Sequence, residues 1–238
     1  MSVAAAVLAG GSGRRMGAND NKVYLPIGGR PVIDRSLEVL DRCEAVEIIV
    51  VVVRPEDRGA ADAAVERSVA ATPVRIVPGG ESRTGSELAA LDVVAEMGAD
   101  RPALTLIHDA ARPFLTHDLL DRLLAAADAV GGAIPGVPVT DPLVDVADGR
   151  PIGRSVSDLV RVQTPQVFRT ALLLDAYASL DPGAASVDTA EVIEQHGGAA
   201  VSVVESDERN LKVTHPVDLD RAEQLAGSWA AGAWTAGR

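Results

Sequence analysis

Eight consecutive residues, Val46–Val53 (VEIIVVVV), leave few options for the fold. A β-branched run with a single charge is a strand covered on both faces, because a half-solvated strand would show a polar residue at every second position. Three shorter apolar runs share this character: VAAAVLA at 3–9, VRIV at 74–77 and ALTLIHD at 103–109. Helical spacing follows each of them. After Pro31, residues Val32, Ile33, Ser36, Leu37 and Leu40 fall on one face; PEDRGAADAAVERSVA occupies 55–70, and THDLLDRLLAAADAV at 116–130 aligns Leu119, Leu120, Leu123, Leu124 and Ala127. In TGSELAALDVVAEM at 84–97, Thr84 followed by Glu87 reads as a capping box. Four strand–helix alternations predict an α/β fold with a mainly parallel sheet and helices on both faces.

The pattern breaks after Gly131. Residues 131–168 are rich in Gly, Pro and Val without helical period, and Ala147–Arg150 (ADGR) is a turn signal between two β-like stretches. This predicts a protruding β-arm over about 137–160. A lone hairpin cannot bury its own apolar residues, so the arm needs a partner, and a second copy of the chain is the simplest one. Helical patterns return at 169–180 and 188–197, a strand at 199–205 and a last helix from Pro216. Within 188–197, Asp188 with Glu191 three residues on reads as a helix N-cap. The reading is one domain over 1–226 and a loose tail over 227–238.

Composition narrows the function classes. The chain has 238 residues, 47% of them hydrophobic and 3% aromatic, enough for a large aliphatic core. Its net charge of −12 argues against nucleic acid or an anionic membrane as partner, and makes any cluster of cations informative. One cysteine, Cys43, in a helix-end context, suits a reducing cytoplasm and excludes a cysteine-based zinc site. The N-terminus lacks a basic leader region and runs into glycines, which reads as a strand of a soluble protein.

The cations cluster directly after the first strand, in LAGGSGRRMGANDNK (8–22). Ligands of open α/β sheets bind beyond the carboxyl ends of the strands, where this loop lies. Its glycines let backbone N–H groups approach phosphate oxygens, and Arg14, Arg15 and Lys22 add charge, which suits a polyphosphate. The loop is not a P-loop, since no Gly-Lys-Ser/Thr follows. It is not a dinucleotide fingerprint either, since Met16 stands at the last glycine position.

The loop together with HDAARPF (108–114), QTPQVF (163–168) and NLKVTHPVDL (210–219) resembles the 2-C-methyl-D-erythritol 4-phosphate cytidylyltransferase family, over about residues 3–225. Ribitol-5-phosphate cytidylyltransferases share much of the pattern. The resemblance implies a Rossmann-like sheet with a dimerising arm, and Mg²⁺-dependent transfer of a cytidylyl group from CTP to a polyol phosphate. By resemblance, Arg15, Lys22 and Lys212 are catalytic, and Ala9, Gly10, Gly11, Ser12, Gly13, Gly80, Glu81, Arg83 and Ser86 bind the nucleotide. Asp109, Arg112 and Thr140 meet the acceptor, Asp109 also holding the metal; His108 reads as structural.

Two departures strike the acceptor side. The family carries a phosphate-binding threonine where this chain has Pro142, and an arginine where it has Val156. Proline offers neither hydroxyl nor N–H. The family's Thr-Asp-(Asp/Glu)-Ala stretch is here Val187–Glu191 (VDTAE). Methylerythritol phosphate is the expected acceptor. The alternatives are another polyol or sugar phosphate such as ribitol 5-phosphate, or a non-catalytic protein that kept only the CTP pocket.

Overall fold

The structure, a computed structural model, describes residues 1–11, 21–154, 158–180, 188–230 and 232–234. Strand β1 (Val3–Leu8) lies in the interior of the main sheet, parallel to β2 (Val46–Val53) on one side and β4 (Leu104–Asp109) on the other; β3 (Val74–Pro78) continues parallel beyond β2. On the far side of β4 comes β9 (Gln166–Arg169), antiparallel to its neighbours, and then β5 (Gly131–Pro138). A further strand, β8 (Val160–Val162), extends the same edge of β5, and β10 (Ala200–Glu205) runs parallel along its other edge. The expected α/β architecture is therefore present.

Alternation explains how one sheet serves two cores. Successive side chains of a strand point to opposite faces. Val3, Ala5 and Val7, with Ile49, Val51 and Val53, pack under helices α1 (Val32–Asp41), α2 (Arg58–Ser68), α4 (His117–Val130) and α7 (Pro216–Ala226). Ala4 and Ala6, with Ile48, Val50 and Val52, meet α3 (Arg83–Glu96) and α5 (Thr170–Ala178) on the other face. Each fully buried Val or Ile contributes roughly 1.5–3 kcal/mol relative to exposure, so the Val46–Val53 run alone forces a two-faced burial.

Helix starts differ from the sequence reading in one place. Helix α3 is capped by Ser82, whose hydroxyl accepts from the Gly85 N–H at 3.0 Å. Thr84 and Glu87 make no capping box; Glu87 is fully buried and turned inward instead. Asp188 does cap α6 (Thr189–Val192), accepting from the Glu191 N–H at 3.0 Å.

The arm is a two-stranded hairpin, β6 (Val144–Ala147) with β7 (Arg150–Arg154), turning at Asp148 and Gly149 with φ of 50° and 72°. Positive φ at both turn positions matches the twist of the flanking strands, which is why Asp-Gly serves here. Every residue from 140 to 153 is exposed, including Val146 at 60% and Ile152 at 69%. Of the tail expected to be loose over 227–238, residues 227–230 and 232–234 are among the described ones. Trp229 is 8% exposed and packs edge-on against Phe114 at 5.7 Å between ring centroids, and Trp229–Ala230 pairs with Ala233–Trp234. Burying an indole offsets the entropy of ordering a short segment, a contribution that periodicity in the sequence does not register. Among the described residues no helix is long and apolar enough to cross a membrane.

Candidate active site

The carboxyl ends of β1 and β4 open onto a cleft of about 440 Å³. Gly10, Gly11 and Lys22 line it from the β1 side, Gly80, Glu81, Arg83 and Ser86 from the β3–α3 turn, and Asp109 and Lys212 from the opposite wall. Nine residues nominated from the sequence thus converge on one cavity.

The β3–α3 turn is held by close backbone contact. A Cβ placed on Gly80 would lie 2.8 Å from the Gly85 backbone, so only glycine fits there. Ser86 Oγ donates to the Ser82 carbonyl at 3.0 Å, and its residue stays at the cleft wall. Ala9 does not line the cavity; its buried carbonyl anchors the far end of the signature loop by accepting from Asn21 Nδ2 at 2.7 Å.

Lys22 begins a single 3₁₀ turn, Lys22–Tyr24, capped by Asn21. The Asn21 amide also donates to Asp57 Oδ2 at 2.8 Å, and Arg54 clamps the same carboxylate with two bonds of 2.7 and 2.8 Å. This network, which no local motif announces, fixes the backbone from which Lys22 reaches the cleft.

Asp109 is the electrostatic centre of the opposite wall. Lys212 Nζ lies 2.6 Å from Oδ2 and Arg83 Nη2 3.9 Å from Oδ1. Burial opposes its ionised form, but Lys212, Arg83 and Arg112 outweigh that and bring its carboxyl down to about 2. Its backbone N–H donates to Thr164 Oγ1 at 3.0 Å. His108 is fully buried behind it, within 3.3 Å of Thr164 Oγ1 and 3.1 Å of Ser36 Oγ; burial pushes its pKa down to about 4, so it is a neutral structural residue, as expected.

Arg112 is expected at the acceptor's phosphate, in the same subunit or across the dimer. It does not line the cleft; its Nη1 donates to the Asn210 carbonyl at 2.8 Å. Asn210 in turn bonds Gln163 Oε1 and the Thr164 carbonyl, each at 3.0 Å, and the Val213 N–H bonds the Ala111 carbonyl at 2.8 Å. These bonds seat the Asn210–Val213 segment, and with it Lys212, above Asp109. Thr140 and Pro142 stand exposed on the arm outside the cleft. Ser12, Gly13, Arg14, Arg15 and Val156 lie outside the described residues.

The described walls carry Lys22, Arg83 and Lys212 against Glu81 and Asp109. A cavity with glycine backbone, two ammonium groups and a guanidinium beside two carboxylates suits a phosphorylated substrate. It contains no positioned Ser, Cys or His nucleophile of the kind that covalent catalysis needs, among the described residues.

Comparisons with known proteins point to one family. Residues 3–227 match the family described as 2-C-methyl-D-erythritol 4-phosphate cytidylyltransferase. Proteins of that name from Cereibacter sphaeroides (strain ATCC 17023) and Geobacillus kaustophilus (strain HTA426) are 40% and 38% identical, covering 94% and 96% of this chain and 97% and 98% of their own. The crystal structure of the protein so named from Thermus thermophilus superposes with a TM-score of 0.71 at 31% identity, over 95% of this chain and all of that one (100%). A synthase from Anaerococcus prevotii shares the fold, with a TM-score of 0.82 at 23% identity over 95% of this chain and 96% of its own.

Proposed function

The chain belongs to the 2-C-methyl-D-erythritol 4-phosphate cytidylyltransferase family, and on that premise we propose that it transfers a cytidylyl group from CTP to 2-C-methyl-D-erythritol 4-phosphate and releases pyrophosphate. The observation that carries this reading is the convergence of Lys22, Arg83, Asp109 and Lys212 on a single cleft at the strand ends.

The chemistry explains the residues. An oxygen of the acceptor's phosphate forms a bond to the α-phosphorus of CTP, and the bond from that phosphorus to the bridging oxygen of the β-phosphate breaks. The attacking oxygen is already anionic, so no general base is required. The barrier is the approach of two anions and the departure of a third, which makes catalysis positioning and charge stabilisation. Gly10 and Gly11, with the adjoining Ser12 and Gly13, offer backbone donors to the triphosphate. Lys22, with Arg15 from the signature loop, neutralises charge developing on the transferred and leaving groups. Gly80, Glu81, Arg83 and Ser86 take the nucleoside, in a space suited to a pyrimidine. Lys212 takes the acceptor's phosphate. Arg112 and Thr140 serve the acceptor less directly: Arg112 by seating the Lys212 segment, and Thr140 from the arm.

Mg²⁺ fits one mode only. The described residues contain no cluster of three or more His, Cys, Asp or Glu groups, so no all-protein cage exists among them. Magnesium commonly binds through one or two carboxylates plus substrate phosphates and waters, and the ionised Asp109 at the cleft wall meets that need. When bound, the ion supplies charge neutralisation across the phosphates.

The same reading includes a homodimer through the arm, supported by the exposed Val146, Ile152 and Leu143, and a cytoplasmic setting, supported by the single cysteine. The absence of a hydroxyl at Pro142 favours testing a second class of acceptor. Pyrophosphate release from CTP, with Mg²⁺ and a panel of acceptors, decides the matter. Turnover with 2-C-methyl-D-erythritol 4-phosphate is the expected result. Turnover only with ribitol 5-phosphate or another polyol phosphate transfers the assignment to that acceptor, and CTP binding without turnover on any acceptor overturns the enzymatic reading.

A further inference from the structure

Beneath the cleft, three helices send polar groups to one carboxylate. Glu87 sits on α3 one turn after Arg83, and its side chain is fully buried. Its Oε2 accepts from the Tyr177 hydroxyl of α5 at 2.6 Å, and its Oε1 from the Thr189 hydroxyl at the start of α6 at 2.7 Å. The same Oε1 is ion-paired with Arg83 Nη1. The other end of that guanidinium, Nη2, points to Asp109 across the cleft wall at 3.9 Å.

We infer that Glu87 is a positioning residue: it holds the Arg83 guanidinium in the cleft wall and thereby sets how tightly the cleft grips a nucleoside triphosphate. The inference rests on the assignment of CTP to this cleft.

A buried carboxylate is costly unless paired and hydrogen-bonded, and an apolar residue of similar volume would suit a two-faced core at least as well. Glu87 lies among Ala90, Leu91 and Val94 on an otherwise apolar helix face. Its cost is offset by three donors, and two of them, Tyr177 and Thr189, do nothing for the cleft except fix this carboxylate. Arg83 is the third, and it alone carries the network to the cavity. An arginine left to rotate must be ordered by the ligand, which weakens binding; one already clamped by a planar partner is not. Because Glu87 touches no substrate, it acts through Arg83, and its removal changes grip and leaves the chemical step alone.

The test is a double-mutant cycle on the full chain. Steady-state kinetics for CTP and calorimetric CTP affinity are measured for the wild type, Glu87→Gln, Arg83→Ala and the double variant. Glu87→Gln keeps the volume and an acceptor oxygen but removes the charge. The expected result is a rise of about tenfold in KM and Kd for CTP with kcat within about twofold, as for loss of a charged hydrogen bond. In the Arg83→Ala background the same change is expected to add less than about twofold, since the two residues act as one unit. Wild-type CTP affinity in Glu87→Gln, or an equal penalty in both backgrounds, overturns the inference, because a purely structural role penalises both alike. Should Glu87→Gln fail to fold, Tyr177→Phe, which frees one carboxylate oxygen, goes through the same cycle with about a threefold rise expected and the same grounds for rejection. Absence of CTP binding to the wild type overturns the functional assignment, and this inference with it; that failure is read on the unmutated protein and so is distinguishable from failure of the Glu87 role alone.

Discussion

Replacing Asp109 with asparagine isolates the electrostatics of the cleft from its chemistry. The carboxylate faces Lys212 at 2.6 Å and Arg83 at 3.9 Å, and its pKa falls from the ordinary 3.8 to about 2 despite burial. That depression is worth roughly 2 kcal/mol of preference for the ionised, folded state. A carboxyl whose folded pKa is lowered contributes this stability above its unfolded pKa and loses it as the pH falls through the folded one. The contribution is thus whole at pH 7, about half at pH 3 and nearly absent at pH 2. The substituted amide has nearly the same volume and stays neutral at every pH. Asp109→Asn is therefore expected to be about 2 kcal/mol less stable at pH 7, or about 4–8 °C lower in thermal midpoint for a chain of this size. The gap between the two proteins narrows toward pH 3. Urea or thermal unfolding of both, followed by circular dichroism from pH 7 to pH 3, reads this directly. An equal stability at pH 7, or a gap that does not change with pH, would refute the account of Asp109 as the counter-charge of the cleft.

Lys22→Ala is expected to lower turnover at least ~10²-fold in the pyrophosphate-release assay, as loss of a transition-state charge contact does; near-normal activity removes its assigned role. Trp229→Ala empties the contact with Phe114 and is expected to cost about 3–5 kcal/mol, visible as a thermal midpoint lower by roughly 6 °C or more, whereas an unchanged midpoint would return the segment to the status of a loose tail. Aspartate at both Val146 and Ile152 is expected to convert a dimer into a monomer on sedimentation; a wild-type monomer sinks the dimeric reading. Asp109 at about 2 and His108 at about 4 do not titrate between pH 5 and 9, so in Glu87→Gln, which removes the one cleft-linked carboxyl that burial pushes up, the acid limb of kcat/KM for the acceptor should follow the second ionisation of the acceptor's own phosphate, near 6. An acid limb that stays in place when a phosphonate acceptor of different pKa is used would contradict this.

How much of this was readable beforehand depends on the range of the interaction. Strand and helix identity rests on periodicity within a dozen residues, and Val46–Val53 and Leu119–Ala127 announce their burial through it. The site residues on the strand ends were readable because each sits in a short motif, and motif order stood in for spatial convergence. What the motifs did not carry are contacts between distant segments. Glu87 with Thr84 satisfies a local capping pattern, yet Tyr177 and Thr189, 90 and 102 residues away in sequence, draw the carboxylate inward and leave Ser82 as the cap. Arg112 reads as an acceptor arginine, and its motif gives no sign that its guanidinium also holds the Asn210 carbonyl, 98 residues away. Asn21 and Asp57 are 36 residues apart, and nothing in either neighbourhood signals that they meet. Trp229 stands in an aperiodic tail, and a single large ring needs no period to bury itself.

The charge distribution follows from the substrate that the cleft is proposed to take. A protein of net charge −12 repels a polyanion at long range, which at first sight opposes a triphosphate site. At physiological ionic strength that repulsion is screened beyond about 8 Å, whereas Lys22, Arg83 and Lys212 would act at contact distance in the cleft, well inside the screening length. The acidic exterior therefore costs little affinity for a small ligand that reaches the cleft. It costs a great deal for nucleic acid, whose many phosphates would have to lie along the whole surface and which competes for any exposed row of cations. Within the cleft, Asp109 answers the remaining difficulty, that clustered cations repel one another before the ligand arrives. Its ion pair with Lys212 offsets that repulsion in the free protein, and under the proposed function an incoming phosphate would replace Asp109 as the partner of Lys212, exchanging one anion for another.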